Sequence, residues 1–311
     1  MKEIIFLEQV FKEMIWGGNR LKRNWSYDIP SDQTGECWAI SAHPNGDCKI
    51  KNGTYQGEYL STLYNEKRDE LFGGISNEVF PLLIKIIDAK EDLSIQVHPD
   101  DAYASQNEEG ALGKTECWYI LDCDLDASII IGHNAKDKEE LKTMIYENRW
   151  KDLIREIPIK KGDFFQIDPG TVHAIKHGTM ILETQQNSDI TYRLYDYDRL
   201  QNGKKRELHI DKSIDVIKCP YNEVNVEGKV IKLQNGFIEE LVTCTYYTVK
   251  KISIDGKEEF VQTEPFTMVS VIEGDGLIDE TPIKKGDHFI LPYGYSKYVL
   301  EGKLDIILSY I

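Results

Sequence analysis

The chain has 311 residues, 41% of them hydrophobic and 29% charged, which suits a globular protein with a core large enough for one large or two ordinary domains. Its 53 acidic residues outnumber 37 basic ones, and the resulting net charge of −16 argues against nucleic acid or an anionic membrane as partner. The N-terminal segment lacks a signal peptide's apolar stretch, no apolar run approaches a membrane span, and the six cysteines form no CxxC pair. We therefore expect a cytoplasmic protein with free thiols.

Short β-branched or aromatic runs, separated by Asp, Gly and Pro, predict a mostly β protein with a few helices. A first helix is predicted over part of Tyr59–Glu70. A second is predicted from Asp137 to about residue 156, because Asp137 and Glu140 form a capping box ahead of an apolar stripe. That stripe comprises Leu141, Met144, Ile145, Leu153, Ile154 and Ile157. The predicted strands are Pro81–Asp88, Leu93–His98, Cys117–Leu121, Ala127–Gly132 and Met180–Thr184.

An internal repeat indicates how the chain is organised. The stretch IPIKKGDFFQIDPGTVHAI (157–175) recurs as TPIKKGDHFILPYGYSKYVL (281–300), about 124 residues later. Both copies place Lys-Lys-Gly-Asp in a solvated turn before a strand, and Pro with Gly in a second turn. Two β units built alike are therefore predicted, as domains over residues 1–225 and 226–311. Where the first copy has His173, the second offers Ser296 or Lys297, so the second unit is expected to keep the shape without the ligand.

The strand Leu93–His98 carries two polar side chains that point the same way. Leu93, Ile95 and Val97 alternate with Ser94, Gln96 and His98, so that one face is apolar and the other polar. Two polar residues spaced i, i+2 on a strand can converge on one point. The sequence raises the question of whether that point is solvent or a bound ion.

A second motif favours a bound ion, rather than solvent, at the point where Gln96 and His98 converge. The pattern G-D-x-F…P-G-x-x-H, which here ends at His173, resembles the second motif of the cupin superfamily of double-stranded β-helix barrels. In that family a histidine and a carboxylate from earlier strands meet this histidine at a metal inside the barrel. Gln96, His98 and Glu116 are the candidates for the earlier set, and the fold implied is a pair of cupin-type units.

The four candidates form a mixed nitrogen and oxygen ligand set. Such a set suits Zn²⁺, one per chain, although Mn²⁺, Fe²⁺, Co²⁺ or Ni²⁺ would also fit. Gln96 could instead hydrogen-bond a ligand of the site without touching the ion. The remaining histidines have no motif around them and are expected to be ordinary surface or core residues: His43, His133, His177, His209 and His288.

Five motifs together resemble one family. QVHPDD, GKTECW, PGTVHAI, SDITYRLYDYDR and GECWAISAHPNG, with the early MIWGG, are similar to type I mannose-6-phosphate isomerases in their short bacterial form. The resemblance runs from about residue 4 to 210. It implies zinc ligation by Gln96, His98, Glu116 and His173, an active-site arginine at Arg193, and a substrate pocket lined by Lys114, Glu183 and Trp16. The sequence departs from longer relatives in lacking a large helical insertion and in having Gly113 where they usually have a histidine.

The implied reaction interconverts mannose 6-phosphate and fructose 6-phosphate by moving a proton between C1 and C2 through an enediolate. A divalent ion can stabilise the developing oxygen charge as a Lewis acid. The proton requires a base, and the sequence leaves two candidates. Lys114 shares a strand face with Glu116, so a nearby ion would lower its pKa. Glu183 faces away from Met180 and Leu182 and can point into the barrel.

The sequence is compatible with more than one role for several of these residues. Arg193 can bind an anionic oxygen, or it can form a structural ion pair with Asp196 or Asp198. Trp16 can line the pocket or simply pack in the core. Two histidines and a carboxylate also describe the iron site of a cupin oxygenase, and a non-catalytic sugar-binding cupin is a third possibility. No residue is assigned to the phosphate, and a monomer is preferred for the oligomeric state.

Overall fold

Antiparallel strands are the main regular secondary structure of the computed structural model, which describes residues 3–224, 226 and 228–311. The mostly β class is therefore confirmed. The strands that precede residue 200 are β1 Ile5–Glu8, β2 Val10–Gly18, β3 Thr34–Ile40, β4 Ala42–His43, β5 Gly46–Asp47, β6 Lys49–Ile50, β7 Leu82–Ala89, β8 Ile95–Val97, β9 Glu116–Cys123, β10 Ser128–His133, β11 Ile154–Pro158, β12 Phe164–Ile167, β13 His173–Ile175, β14 Thr179–Gln186 and β15 Tyr192–Tyr195. They are followed by β16 Leu200–Gln201, β17 Lys204–Lys205, β18 Lys229–Lys232, β19 Gly236–Thr243, β20 Thr248–Val261, β21 Thr267–Ile278, β22 Thr281–Lys284, β23 His288–Leu291 and β24 Lys297–Tyr310.

Helices occupy the connections between strands. They are α1 Arg20–Trp25, α2 Leu60–Phe72, α3 Asp101–Asn107, α4 Lys138–Tyr146, α5 Trp150–Leu153 and α6 Ile210–Val216, with a 3₁₀ turn at Gly53–Tyr55. The helix predicted within Tyr59–Glu70 is confirmed as α2. No membrane-spanning candidate is found among the helices of the described residues.

The single helix predicted from Asp137 to about residue 156 is wrong beyond its first turns. Asp137 caps α4 as expected, because its Oδ1 accepts a hydrogen bond of 2.9 Å from Glu140 N. The chain then leaves the helix at Asn148, whose φ of 55° is left-handed, and only the short α5 follows. Ile154 and Ile157, expected on the apolar stripe, instead lie on the edge strand β11.

Two sheets face each other in the first unit and define its interior. One has the order β11-β10-β13-β8-β15, and the other β12-β9-β14-β7-β2-β3. Apolar side chains from both sheets fill much of the space between them, among them Trp118, Ile120 and Ile181 from the second sheet and Ile129 and Ile131 from the first. Polar side chains that the sequence places on the inward faces of β8, β9, β13 and β14 must therefore meet in this interior.

The internal repeat is visible as a repeated turn. In the first copy Asp163 Oδ2 accepts a hydrogen bond of 2.9 Å from Lys160 N, and in the second Asp287 Oδ2 accepts one of the same length from Lys284 N. Lys297 begins β24 as His173 begins β13, but Lys297 is exposed and its Nζ lies 3.4 Å from Glu259 Oε1. The second unit thus has no imidazole at the corresponding place.

The expectation that both Lys-Lys turns are simply solvated is wrong for the second turn. Lys285 has a side chain only 28% exposed, and its Nζ lies 3.1 Å from Glu273 Oε2 and 5.1 Å from the ring centre of Trp25. In the first turn the equivalent Lys161 is 64% exposed and Lys160 is 85% exposed, so both match the expectation. The difference arises because the second turn packs against the first unit.

The two units share an extensive interface. The outer face of the sheet that contains β7, β9 and β14 packs against side chains of β20, β21 and β24, so that it is covered on both faces. In addition, β1 pairs with β23 and extends the C-terminal sheet. The domain boundary after residue 225 stays a prediction, and residue 225 itself lies outside the described residues.

Replacing the α4 cap tests this local account. We expect Asp137→Ala to lower the free energy of unfolding by about 1 kcal/mol, since Glu140 N loses its acceptor, and Asp137→Asn to lower it much less. Urea denaturation followed by circular dichroism measures both. Glu139→Ala, on the same turn but exposed and not capping, is the matched control. Equal stability of wild type and Asp137→Ala would contradict the capping role.

Candidate metal centre and active site

Two buried histidines from neighbouring strands face each other. His98 directly follows β8 and His173 begins β13, and these strands pair with His173 opposite Gln96. His98 Nδ1 lies 2.8 Å from Ile190 O, and His173 Nδ1 lies 2.9 Å from Thr171 O. Because a carbonyl oxygen only accepts, each Nδ1 must carry the proton and each Nε2 a bare lone pair. The two Nε2 atoms are 3.1 Å apart.

A carboxylate from the opposite sheet completes the cluster. Glu116 begins β9 and is fully buried; its oxygens lie 3.4 Å from His98 Nε2 and 3.5 Å from His173 Nε2. Within the described part of the chain, this is the group of His, Cys, Asp and Glu side chains that could hold a metal ion. Its members come from both sheets, so the closure of the barrel is what brings them together.

The residues fit a divalent ion. Burial, reinforced by Lys114, lowers the pKa of His98 to about 3, and burial also lowers that of His173. Both imidazoles are therefore neutral near pH 7, the state in which they bind metals. Two lone pairs and a carboxylate aimed at one point repel one another unless a cation lies between them. Ligands of a tetrahedral Zn²⁺ at 2.0–2.1 Å lie about 3.3 Å apart, close to the separations found.

Gln96 lies at the edge of this cluster. Its Nε2 is 3.3 Å from His173 Nε2, so the amide meets the same point in space as the two imidazoles. Rotation of the amide about its last bond would present Oε1, the atom that can ligate a cation. The geometry accommodates Gln96 either as a fourth ligand or as a hydrogen-bonding neighbour.

A second carboxylate and two lysines surround the cluster. Glu183 on β14 is joined to Glu116 by the Trp118 indole, whose Nε1 lies 3.0 Å from Glu116 Oε1 and 3.1 Å from Glu183 Oε2. Lys114 Nζ lies 2.6 Å from Glu116 Oε2 and 3.9 Å from Glu183 Oε1. Lys85, paired with Glu183 across β7 and β14, places its Nζ 3.5 Å from the same oxygen. All of these side chains are at least nine-tenths buried.

The two carboxylates have opposite pKa shifts, although they share one environment. Burial alone would raise both, but Lys114 and the two histidines lower the pKa of Glu116 well below its usual range. The pKa of Glu183 is raised, because burial and the negative charge of Glu116 outweigh the lysines. Glu116 is thus the permanent anion of the pair, and Glu183 is the group able to gain and lose a proton.

The pKa of Lys114 is governed by the two carboxylates beside it. Burial disfavours its charge, but Glu116 and Glu183 more than compensate and raise its pKa, where the sequence argument expected a lowered one. The lowered pKa applies to a lysine beside a bound cation. The Lys114 ammonium also contacts Glu116, the carboxylate that a divalent ion would bind.

A cavity of about 360 Å³ leads from solvent to this cluster. The predicted substrate-contacting residues Trp16, Lys114, Glu183 and Arg193 all line it, as does Gln96. Trp16 is 3% exposed, so it both packs in the core and forms part of the wall. Residues that the sequence argument did not assign also line the cavity: Met14, Glu36, Trp38, Lys85, Ser94, Asp189, Thr191 and Arg206.

The structural ion pair considered for Arg193 is not formed. Asp196 instead contacts Arg199 and Arg206, and Asp198 contacts Lys205. Arg193 donates from Nη1 to the Glu207 carbonyl at 2.9 Å, while its buried Nε has no hydrogen-bond partner among the described residues. Arg193 therefore keeps donor capacity for a ligand in the cavity.

Three residues of the site received no role from the sequence, and they differ in whether a local pattern marks them. Lys85 interrupts the apolar run of β7, and a charge in a strand buried on both faces signals a buried partner. Trp118 follows Glu116 by two residues and so shares its strand face. Arg206 had no such signal, because a long irregular connection carries it to the cavity.

Elemental analysis tests the cluster directly. We expect one divalent ion per chain in protein purified without chelator, and its loss in His173→Asn, because two bare nitrogens and a carboxylate are needed to hold it. His133→Asn, a buried histidine whose Nε2 bonds Lys218 O outside the cluster, is the control and should retain the ion. Full occupancy in His173→Asn would refute the cluster as the metal centre.

Comparison with known proteins agrees with the geometry. The family model of the phosphomannose isomerase type I catalytic domain matches residues 4–121, and that of the mannose-6-phosphate isomerase cupin domain matches residues 238–311. The chain is 50% identical to the mannose-6-phosphate isomerase ManA of Bacillus subtilis over 99% of both chains. It is also 50% identical to the mannose-6-phosphate isomerase of Streptococcus mutans, over 100% of this chain and 99% of the relative.

A solved structure matches the whole chain. The crystal structure of mannose 6-phosphate isomerase from Bacillus subtilis covers 100% of both chains with a TM-score of 0.98 and 50% identity. The cupin-type fold and the resemblance inferred from the motifs are both confirmed. The protein belongs to the type I phosphomannose isomerase family.

Proposed function

We propose that this protein is a cytoplasmic isomerase that interconverts mannose 6-phosphate and fructose 6-phosphate, with one Zn²⁺ held by Gln96, His98, Glu116 and His173. The observation that carries the proposal is the buried His–Glu–His cluster at the end of a cavity lined by a second carboxylate and several cations. Relatives half identical over their full length are named for this activity. The free thiols among the described residues support the cytoplasmic location.

The reaction needs a Lewis acid, a base and an anion site. When bound, the ion would supply Lewis acidity where negative oxygen charge develops in the enediolate. The protein's part is to keep both imidazoles neutral, Glu116 ionised and bulk water away. The burial of His98, Glu116 and His173 supports this arrangement.

Glu183 is the proposed base. Trp118 orients one of its oxygens, and the other faces Lys85 and Lys114 at the cavity. Its raised pKa makes the ionised carboxylate a stronger base toward a proton on carbon. Glu183 takes the proton from C2 of the open-chain aldose, the C2–H electron pair forms the C1–C2 double bond, and the C1=O1 π pair moves onto O1. As the C2=O2 bond of the ketose then forms, the C1–C2 π pair takes the proton back from the same carboxyl at C1.

Lys114 is proposed to handle the oxygen protons. Isomerisation also moves a proton from O2 to O1, and a protonated amine can donate to one oxygen while the other is deprotonated. Glu116 and Glu183 raise the pKa of Lys114, which favours its ammonium form. In this proposal Glu183 takes the proton from carbon, and Lys114, the other candidate base, serves the oxygens.

The phosphate end is assigned to the arginines of the cavity. The chain as a whole has a net charge of −16, so the binding site of a dianionic substrate needs a local excess of positive charge. Arg193 and Arg206 both line the cavity, and planar guanidinium groups match phosphate oxygens. Trp16 and Trp38 form apolar walls on which a sugar ring can lie.

A coupled assay tests the proposed activity. We expect the metal-replete protein to convert mannose 6-phosphate to fructose 6-phosphate under nitrogen as fast as in air, since no oxygen is consumed. Prolonged chelation should abolish turnover, and stoichiometric Zn²⁺ should restore it. The absence of turnover in protein with a full complement of metal would instead indicate a sugar-binding cupin, and dependence on oxygen would indicate an oxygenase.

Two substitutions test the acid–base assignment. Glu183→Gln and Lys114→Met should each lower kcat by about 10²-fold or more, the usual contribution of a positioned proton-transfer group. Elemental analysis should find the ion retained in both, so the loss belongs to proton transfer. Glu139→Gln, exposed on α4, is the control. Near-normal kcat in both cavity variants with metal bound would overturn the assignment.

A further inference from the structure

The segment from Asp196 to Arg206 turns back on itself twice. Arg199 N donates to Asp196 O at 3.1 Å across two residues with φ of 55° and 56°, a type I′ turn built from non-glycine residues. A second tight turn at Asn202–Gly203, again with both φ positive, connects β16 to β17. The double reversal brings Arg206 back to Asp196, ten positions earlier in the chain.

Asp196 binds two arginines at once. Arg206 donates from Nε to Oδ2 at 2.7 Å and from Nη2 to Oδ1 at 2.5 Å, a bidentate pair. Arg199 donates from Nη2 to Oδ1 at 2.5 Å. Asp196 is only 4% exposed. Burial raises the pKa of its carboxyl, but the contacts with Arg206 and Arg199 outweigh burial, and the pKa is lowered. The carboxylate stays ionised and fixes both side chains.

The bidentate pair uses two of the three guanidinium nitrogens of Arg206. Asp196 accepts from Nε and Nη2, so Nη1 takes no part in the contact with the carboxylate. Arg206 lines the cavity, whereas Asp196 does not. Arg193, Arg199 and Arg206 carry three positive charges against the two negative charges of Asp196 and Glu207, and the cluster is therefore net positive in a strongly acidic protein.

We propose that Asp196 is the positioning residue for the phosphate end of the substrate, acting through its bidentate pair with Arg206. This inference rests on the proposed phosphosugar substrate. Without the carboxylate, Arg206 would be repelled by Arg193 and Arg199 and would sample many rotamers, and ordering it again would weaken binding of the anion. Among the described residues no hydrogen bond or ion pair joins Asp196 or Arg206 to Glu183 or Lys114, so the chemistry at C1 and C2 would continue.

The test separates binding from chemistry. In Asp196→Asn, KM for mannose 6-phosphate and Ki for inorganic phosphate should both rise roughly tenfold or more, a change of one decade per 1.4 kcal/mol. The value of kcat should stay within about twofold, and Asp196→Glu, which restores the charge, should recover part of the loss. A purely structural role would lower kcat or thermal stability without selectively raising Ki for phosphate.

Asp198→Asn is the matched control. Asp198 lies in the same turn and loses the same charge, but its partner is the exposed Lys205 at 2.6 Å, and asparagine tolerates its left-handed backbone. This variant should leave both constants unchanged. If it raises Ki as much as Asp196→Asn does, net charge explains the effect and the inference fails.

A direct binding measurement distinguishes this inference from the proposed function. Trp16 and Trp38 line the cavity, so quenching or enhancement of their fluorescence by inorganic phosphate reports binding without turnover. Weaker phosphate binding in Asp196→Asn than in wild type supports the inference even if wild type shows no isomerase activity. If Asp196→Asn does not fold, Arg206→Lys, which loses the bidentate geometry, must show the same rise in KM and Ki. Unchanged constants in a folded variant overturn the inference.

Discussion

Two bare imidazole nitrogens 3.1 Å apart, with an ionised carboxylate beside them, are the interaction on which the rest of this structure depends. Each Nδ1 is committed to a backbone carbonyl, so neither ring can rotate its proton toward the other. In a dry interior such a set is stable only around a cation. The Lys114 ammonium supplies one in the structure. A divalent ion would take over the carboxylate and change the surroundings of the lysine, which links metal binding to the acid–base chemistry of the cavity.

The fold places these groups by closing two sheets on each other. The imidazoles come from the sheet of β8 and β13, and Glu116 and Glu183 come from the sheet of β9 and β14. Neither sheet alone carries a complete site. The second sheet is held from behind by the C-terminal unit, where Ser309 Oγ of β24 lies 3.2 Å from Thr184 Oγ1 of β14. A unit without the metal-binding histidine thus still supports the site, because it rigidifies the sheet that bears the carboxylates.

Much of this arrangement follows from local sequence. Period-two alternation places Gln96 and His98 on one face, and the same rule accounts for Glu183. The repeated Lys-Lys-Gly-Asp turn predicts two similar units. The rest depends on contacts that no local pattern encodes. The helix error after Tyr146 arose because apolar residues continue at helical spacing, whereas a left-handed Asn148 ends the helix. Arg206 reaches the cavity only through a doubly reversed turn closed by Asp196, a long-range pairing that periodicity does not reveal.

The proposed chemistry requires that one divalent ion is coordinated inside the first barrel. X-ray absorption at the zinc edge, on protein loaded with one equivalent of Zn²⁺, measures that coordination. The account predicts only nitrogen and oxygen neighbours at about 2.0–2.1 Å, with the multiple-scattering signature of two imidazoles, and its loss in Glu116→Gln. Sulfur neighbours, or a shell of oxygens with no imidazole, would contradict it.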